Sequence, residues 1–131
     1  NGWGSLRRAI ACSDINDTLR ISPQLPGQTV VLNNAIVIDK NLNILQSAGS
    51  MFKIEATSTG PVFNILSGNT LSLSNLELYS GTGFSGRAII NAGTLNLNNL
   101  KIYEHTSMPL NGSVIHNIGT INFFELNEIK K

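Results

Sequence analysis

Eight carboxylates are the side chains of this sequence best suited to chemistry: Asp14, Asp17, Asp39, Glu55, Glu77, Glu104, Glu125 and Glu128. A glycoside hydrolase or polysaccharide lyase needs two or more of them meeting on one face, as acid and base or as calcium ligands. Asp14 and Asp17 are close in sequence, but they fall in a loop where Asx turns account for them. The remaining acids share no neighbouring outward position in the strand register derived below. Glu104 and His105 are adjacent, yet two ligands of mixed type without a third do not make a metal site. His116 stands alone on an outward position. Ser, His and Asp are all present, but no Gly-x-Ser-x-Gly elbow leads into a helix, and Gly83-Phe84-Ser85-Gly86 reads as a turn between strands. The run Gly81 to Gly86 has the glycines of a phosphate loop, but Ala88-Ile89-Ile90-Asn91 continues it as a strand where a dinucleotide fingerprint requires a helix. No catalytic, metal or cofactor residue is assigned, and the expectation is a non-enzyme that needs no cofactor.

One constellation is left. Glu55, Tyr79 and Tyr103 recur every 24 residues and form a column in which the two rings stack and offer an aromatic platform to a sugar, or simply cover a flat sheet. Beside them Lys53, Glu77 and Lys101 alternate in sign at the same spacing, each pair contributing a few tenths of a kcal/mol and pinning the register. Thr70, Thr94 and Thr120 make a third column, too narrow a plane for the hydroxyl array of an ice-binding surface.

These columns exist only if the chain winds as a coil, and the sequence says that it does. Residues 86 to 123 can be laid over themselves at a shift of 26, with Ala88 on Val114, Ile89 on Ile115, Asn91 on Asn117, Gly93 on Gly119, Thr94 on Thr120 and Asn96 on Asn122. A shift of 24 aligns Phe52, Leu76 and Leu100, then Ile54, Leu78 and Ile102, and sets Asn75 on Asn99. Within each unit the period is two, as in Leu71-Ser72-Leu73 and Leu95-Asn96-Leu97, which marks short half-buried strands. Turns rich in Gly, Asn and Ser divide them, at Ser67-Gly68-Asn69, Ser74-Asn75, Asn98-Asn99 and Ile118-Gly119. The gaps are too short for crossover helices, so each strand can bury its apolar face only by stacking on the previous turn. The predicted fold is all-β, a single domain over residues 1–131 containing a parallel β-solenoid of four to five coils over 18–131. At about 4.8 Å per coil it is a stub of its class. Asn91 and Asn117 are expected to point inward, and Asn75 and Asn99 to sit at a corner, as amides that satisfy one another.

The first segment departs from the pattern. Ser5 precedes Leu6, Ala9 and Ile10 at helical spacing, so residues 5–12 predict a short amphipathic helix capping the first coil. The single cysteine, Cys12, has no intramolecular partner and is expected to be a buried free thiol.

Composition bounds the role. There are 17 Asn, 13 Ser, 9 Thr and 12 Gly, while only 13% of residues are charged and the net charge is +1. The surface is therefore polar without being ionic, unlike that of a cytosolic enzyme. No basic cluster exceeds Arg7-Arg8 and Lys130-Lys131, which excludes a phosphate-backbone footprint, so nucleic acid is not an expected partner. No apolar run is long enough to span a membrane. The start at Asn1-Gly2-Trp3-Gly4, without Met or a signal-like stretch, reads as a mature product or an excised fragment.

Ser5-Leu6-Arg7-Arg8-Ala9-Ile10, Asp17-Thr18-Leu19-Arg20-Ile21, Val62-Phe63-Asn64-Ile65, Gly86-Arg87-Ala88-Ile89-Ile90-Asn91 and Gly93-Thr94-Leu95-Asn96-Leu97 resemble the right-handed parallel β-helix repeats of bacterial surface proteins. These include domains opening with Ser-Leu-Arg-Glu-Ala and the repeats of polymorphic outer-membrane and autotransporter-like adhesins. Arg8 stands where that motif has an acid, and Gly4 where many members carry Cys. The resemblance implies right-handed winding and an exported, extracellular or cell-surface bacterial protein serving as scaffold or adhesion module, with glycans or a host or neighbouring cell surface as partners. The alternatives are a self-assembling filament subunit and a carbohydrate-binding or carbohydrate-active β-helix. No cap follows the last coil, which leaves Ile121, Phe123, Phe124 and Ile129 as an association edge through which the chain is expected to bind itself.

Overall fold

Inward-facing aliphatic residues on every second position dictate where the chain runs straight, and Asn, Gly and Ser dictate where it bends. The computed structural model describes residues 5–21, 29–46, 51–56, 61–79, 88–103, 114–125 and 127–130. The first coil comprises Asp17–Ile21 (β1), Thr29–Leu32 (β2) and Ile36–Ile38 (β3), and the second Leu42–Gln46 (β4), Phe52–Ala56 (β5) and Phe63–Ile65 (β6). The third is Thr70–Ser74 (β7), Leu76–Tyr79 (β8) and Ile89–Asn91 (β9). The fourth is Thr94–Asn98 (β10), Lys101–Tyr103 (β11) and Ile115–Asn117 (β12), and Thr120–Phe124 (β13) with Glu128–Lys130 (β14) begins a fifth. Like strands stack in parallel into three sheets, ordered β1-β4-β7-β10-β13, β2-β5-β8-β11-β14 and β3-β6-β9-β12. This is a parallel β-solenoid. About three turns lie between the capped first coil and the incomplete last one, slightly fewer than the four to five coils expected.

Both repeat registers are realised. Thr94 pairs with Thr120 and Asn96 with Asn122 at the shift of 26, and Phe52 with Leu76 and Ile54 with Leu78 at the shift of 24. Inside the coil Ile44, Leu73 and Leu97 stack in one file, and Ile54, Leu78 and Ile102 in another, all with no solvent exposure. Each such side chain contributes about 1.5–3 kcal/mol by burial. The strands are only three to five residues long, so the stack and not any one strand supplies the stability.

Polar side chains hold the corners. Asn75 and Asn99 occupy the bend between the first and second sheets with φ of 59° and 54°, the left-handed conformation that Asn tolerates. The Asn99 amide donates to Asn75 Oδ1 at 2.9 Å, and the Asn75 amide donates to the Gln46 carbonyl at 2.8 Å. At the same bend of the last coil stands Glu125, with φ 47°. Glutamate has no short amide to compensate that conformation, so Glu125→Asn is expected to stabilise the chain by about 1 kcal/mol, read as a higher urea midpoint at unchanged slope. Asn91, fully buried, donates to Asn117 Oδ1 at 2.7 Å and to the Thr120 carbonyl at 2.9 Å, whereas Asn117, one coil further on, is exposed.

The cap forms as a helix, Leu6–Cys12 (α1), whose N-cap Ser5 accepts the Arg8 amide. Leu6 and Ile10, one turn apart, are buried. Two cations latch the helix to the coil. Arg7 donates to the Asn34 and Ala35 carbonyls, and Lys40 Nζ donates to the Ser13 carbonyl at 2.6 Å, just past the helix end. Cys12 corrects the expectation of a buried thiol: it is exposed. Two residues beyond Ile10 on a helix of 3.6 residues per turn, it falls on the side opposite the buried stripe.

Candidate functional site

The second sheet carries the constellation singled out by residue type. Parallel pairing of β5, β8 and β11 sets Lys53 beside Glu77 and Glu77 beside Lys101, and Glu55 beside Tyr79 and Tyr79 beside Tyr103. Alternation puts both files on the outer face, since Phe52, Ile54, Leu76, Leu78 and Ile102 take the inner one. The Tyr79 and Tyr103 rings lie 5.0 Å apart, centroid to centroid, tilted by 33°. Lys53 Nζ lies 4.1 Å from the Tyr79 ring centre, a cation over its face. The Tyr79 hydroxyl donates to Glu77 Oε1.

The two columns are therefore one cluster, and Lys53 and Glu77 belong to the aromatic site as much as Glu55 does. The signal was available in the sequence: Glu77 and Tyr79 are two apart on one strand and so share a face. Partial burial raises the Tyr79 pKa above that of an ordinary phenol, and the hydrogen bond to Glu77, the Glu77 charge, Tyr103 and Glu55 push it further in the same direction. Because the folded state holds this proton more tightly than the unfolded chain, the stabilisation is complete below about pH 10 and is lost as pH rises through the raised folded value. In Tyr103→Phe, which leaves Tyr79 as the sole tyrosine, phenolate absorbance is expected to stay flat through pH 10 and to rise only beyond it. Adding Glu77→Gln should lower that midpoint, and an ordinary titration near pH 10 in Tyr103→Phe would contradict the geometry.

As a platform for a sugar the pair is poorly disposed. One face of Tyr79 is under Lys53 and the ring is tilted against Tyr103, so the stacking direction is used between coils and both rings are half-buried. The other outward files are likewise engaged with themselves. The Asn96 amide donates to Ser72 Oγ at 3.0 Å, and the Asn122 amide donates to Asn96 Oδ1 at 2.9 Å.

The acids do not gather. Asp17 carries an Asx-type contact, its Oδ2 accepting the Asp14 amide at 2.7 Å. Glu55 and Glu77 are diagonal neighbours on adjacent strands, with Tyr79 paired to one and bonded to the other. Among the described residues no three of His, Cys, Asp and Glu come together as a metal site, and no helix is long and apolar enough to cross a membrane. His116 pairs with Ile90 on the outward file and is half-buried. Glu104, His105 and the run Gly81 to Gly86 lie outside the described residues.

At the far end the expected edge residues are found on the last rung. Phe123 pairs with Leu97 and Ile129 with Ile102, both partners fully buried, yet Phe123 is 58% and Ile129 40% exposed. The inward files thus run out into solvent. Ile121 still packs partly on the core, and Phe124, paired with Asn98 on the outward file, is exposed. β14, three residues with one apolar side chain, was not legible as a strand from periodicity.

No protein-family model, curated protein or solved structure matches the chain. Its class rests on the fold alone, that of a parallel β-solenoid with one short helix.

Proposed function

We propose that this chain is a rigid, non-catalytic β-solenoid module of an exported bacterial protein, acting at the cell surface or outside the cell as scaffold or adhesion element. The observation that carries the reading is the use made of the outward side chains. Ser72, Asn96 and Asn122, Tyr79 and Tyr103, and Lys53 and Tyr79 are engaged from coil to coil, which stiffens the stack, and none of these files forms a concave, water-excluding site. A surface of uncharged Asn, Ser and Thr, with few ionic groups, supports the extracellular assignment. So does the likeness of Ser5 to Ile10 and of the coil repeats to bacterial surface β-helices. The test is labelling of intact cells of the producing organism with an antibody to this chain, joined to a turnover assay on neutral and acidic polysaccharides. Labelling without permeabilisation, removed by added protease, together with no depolymerisation is the expected result. Signal only after permeabilisation, or cleavage of any of the polysaccharides, would overturn the proposal.

A further inference from the structure

Tyr79 and Tyr103 are the two phenols of this chain, and the fold sets one over the other. They are register partners on the adjacent parallel strands β8 and β11, so they leave the outer face about one strand spacing apart, ~4.8 Å, and project the same way. The rings follow, with centroids 5.0 Å apart. Their planes are tilted by 33° and therefore converge at one edge, and both rings are half-buried, so neither is sealed from an oxidant in solution. The two residues are 24 apart in sequence, and what makes them neighbours is the stacking of the third coil on the fourth.

Two phenols held in this way can undergo one-electron oxidation followed by coupling of the rings. A phenol gives up an electron readily only when its proton leaves as well, because the protonated radical is a strong acid. Tyr79 has the acceptor in place: its hydroxyl donates to Glu77 Oε1 on the same strand. Its ring lies between a cation from β5, with Lys53 Nζ 4.1 Å from the ring centre, and the Tyr103 ring from β11. The Lys53 charge makes electron loss from Tyr79 the harder of the two, and the Glu77 carboxylate, by taking up the proton, offsets it.

We infer that Tyr79 and Tyr103 form a site of oxidative cross-linking, joined as dityrosine between the third and fourth coils by a peroxide whose electrons are relayed through a one-electron carrier such as a haem peroxidase. Each phenol loses one electron and its hydroxyl proton, the Tyr79 proton passing to Glu77 and the Tyr103 proton to water. The two radicals form a carbon–carbon bond between their Cε atoms, and the hydrogen on each joined carbon moves to the phenolic oxygen, which restores both rings. The chain loses two hydrogens in all, and the O–O bond of the peroxide breaks as it takes up the two electrons. A chain with a single cysteine has no intramolecular disulfide to fasten its coils, and this link closes a loop from one coil to the next. The test is oxidation of the full chain with tris(bipyridine)ruthenium(II), light and persulfate, a carrier and peroxide that also operate in urea. The folded protein is expected to give a species of monomer size on a reducing gel, lighter by two hydrogens, with dityrosine fluorescence and with the peptides carrying Tyr79 and Tyr103 joined. The thiol reductant removes any link made through the exposed Cys12 and leaves the carbon–carbon bond intact. In denaturing urea the yield of that species should fall about tenfold or more, because the rings then meet only by chance closure of the chain. Dityrosine formed only between chains, or within the unfolded chain as readily as within the folded one, would overturn the inference.

Discussion

Leu73→Asp and Ile102→Asp are each expected to abolish folding at ordinary temperature, whereas Ser72→Asp and Asn96→Asp, one step along or on the equivalent strand, should lie within about 1 kcal/mol of the parent. Leu73 and Ile102 have no solvent exposure, and each is stacked between apolar neighbours of the same file, Ile44 and Leu97 in one case, Leu78 and Ile129 in the other. A carboxylate there has no donor in reach and no route to water, so it is either ionised without a partner or held neutral. Both alternatives cost several kcal/mol, against a total stability of about 5–15 kcal/mol for a domain of this size. Ser72 and Asn96 point the other way, into a polar file where an acid still accepts: a carboxylate in place of Ser72 would take the hydrogen bond from Asn96, and one in place of Asn96 would take that from Asn122. Urea unfolding of the four variants checks the prediction. Equal tolerance of the inward and outward changes would mean that the register is off by one residue, which exchanges every inner side chain for an outer one.

That contrast explains why the coil was legible in the sequence. Stacking forces identical demands on positions 24 or 26 apart, so the inner files Ile54, Leu78, Ile102 and Leu71, Leu95, Ile121 are written directly in it. The outer files were legible for the same reason, down to the Glu55, Tyr79, Tyr103 column and the exposed rung at Phe123. What escaped is what does not repeat. Cys12 belongs to a helix of less than two turns, where phase, and so the side that Cys12 occupies, is set by Leu6 and Ile10 alone. β14 has one apolar residue and follows an Asn127 whose amide is spent on the Leu97 and Phe124 carbonyls, so nothing local announces a strand. The union of Lys53, Glu77 and Tyr79 crosses two columns and a coil step, a diagonal contact that column-by-column reading separates. Turn glycines suggest positive φ, and Gly68 at φ 85° fits, but the corner between the first and second sheets meets that need with Asn75 and Asn99.

Gly93 serves a different demand, and Gly93→Ala is the second substitution expected to have a large effect. Gly93 sits in the corner between the third sheet and β10, directly above Asn69, in the file that Gly119 continues. A Cβ at Gly93 would lie 2.2 Å from the Asn69 carbonyl oxygen and 2.8 Å from that of Leu66. Both are backbone atoms, held by hydrogen bonds of the coil, since the Asn69 carbonyl accepts the Thr94 amide at 2.9 Å. No rotamer change relieves such a collision; β7 and β10 must part at this end, and the Thr94 bond with them. A cost of about 3 kcal/mol or more follows. Two companion variants separate collision from conformation. Gly68→Ala meets nothing within 4 Å and pays only for its positive φ, about 1 kcal/mol. Gly119→Ala would meet the Gly93 carbonyl oxygen, but Gly119 is exposed where Gly93 is half-buried, so its corner has room to shift outward and its cost should fall between the other two. The order Gly93, Gly119, Gly68 in loss of urea midpoint is the expected result. An effect of Gly93→Ala no larger than that of Gly68→Ala would mean that the coils are not in contact through this corner.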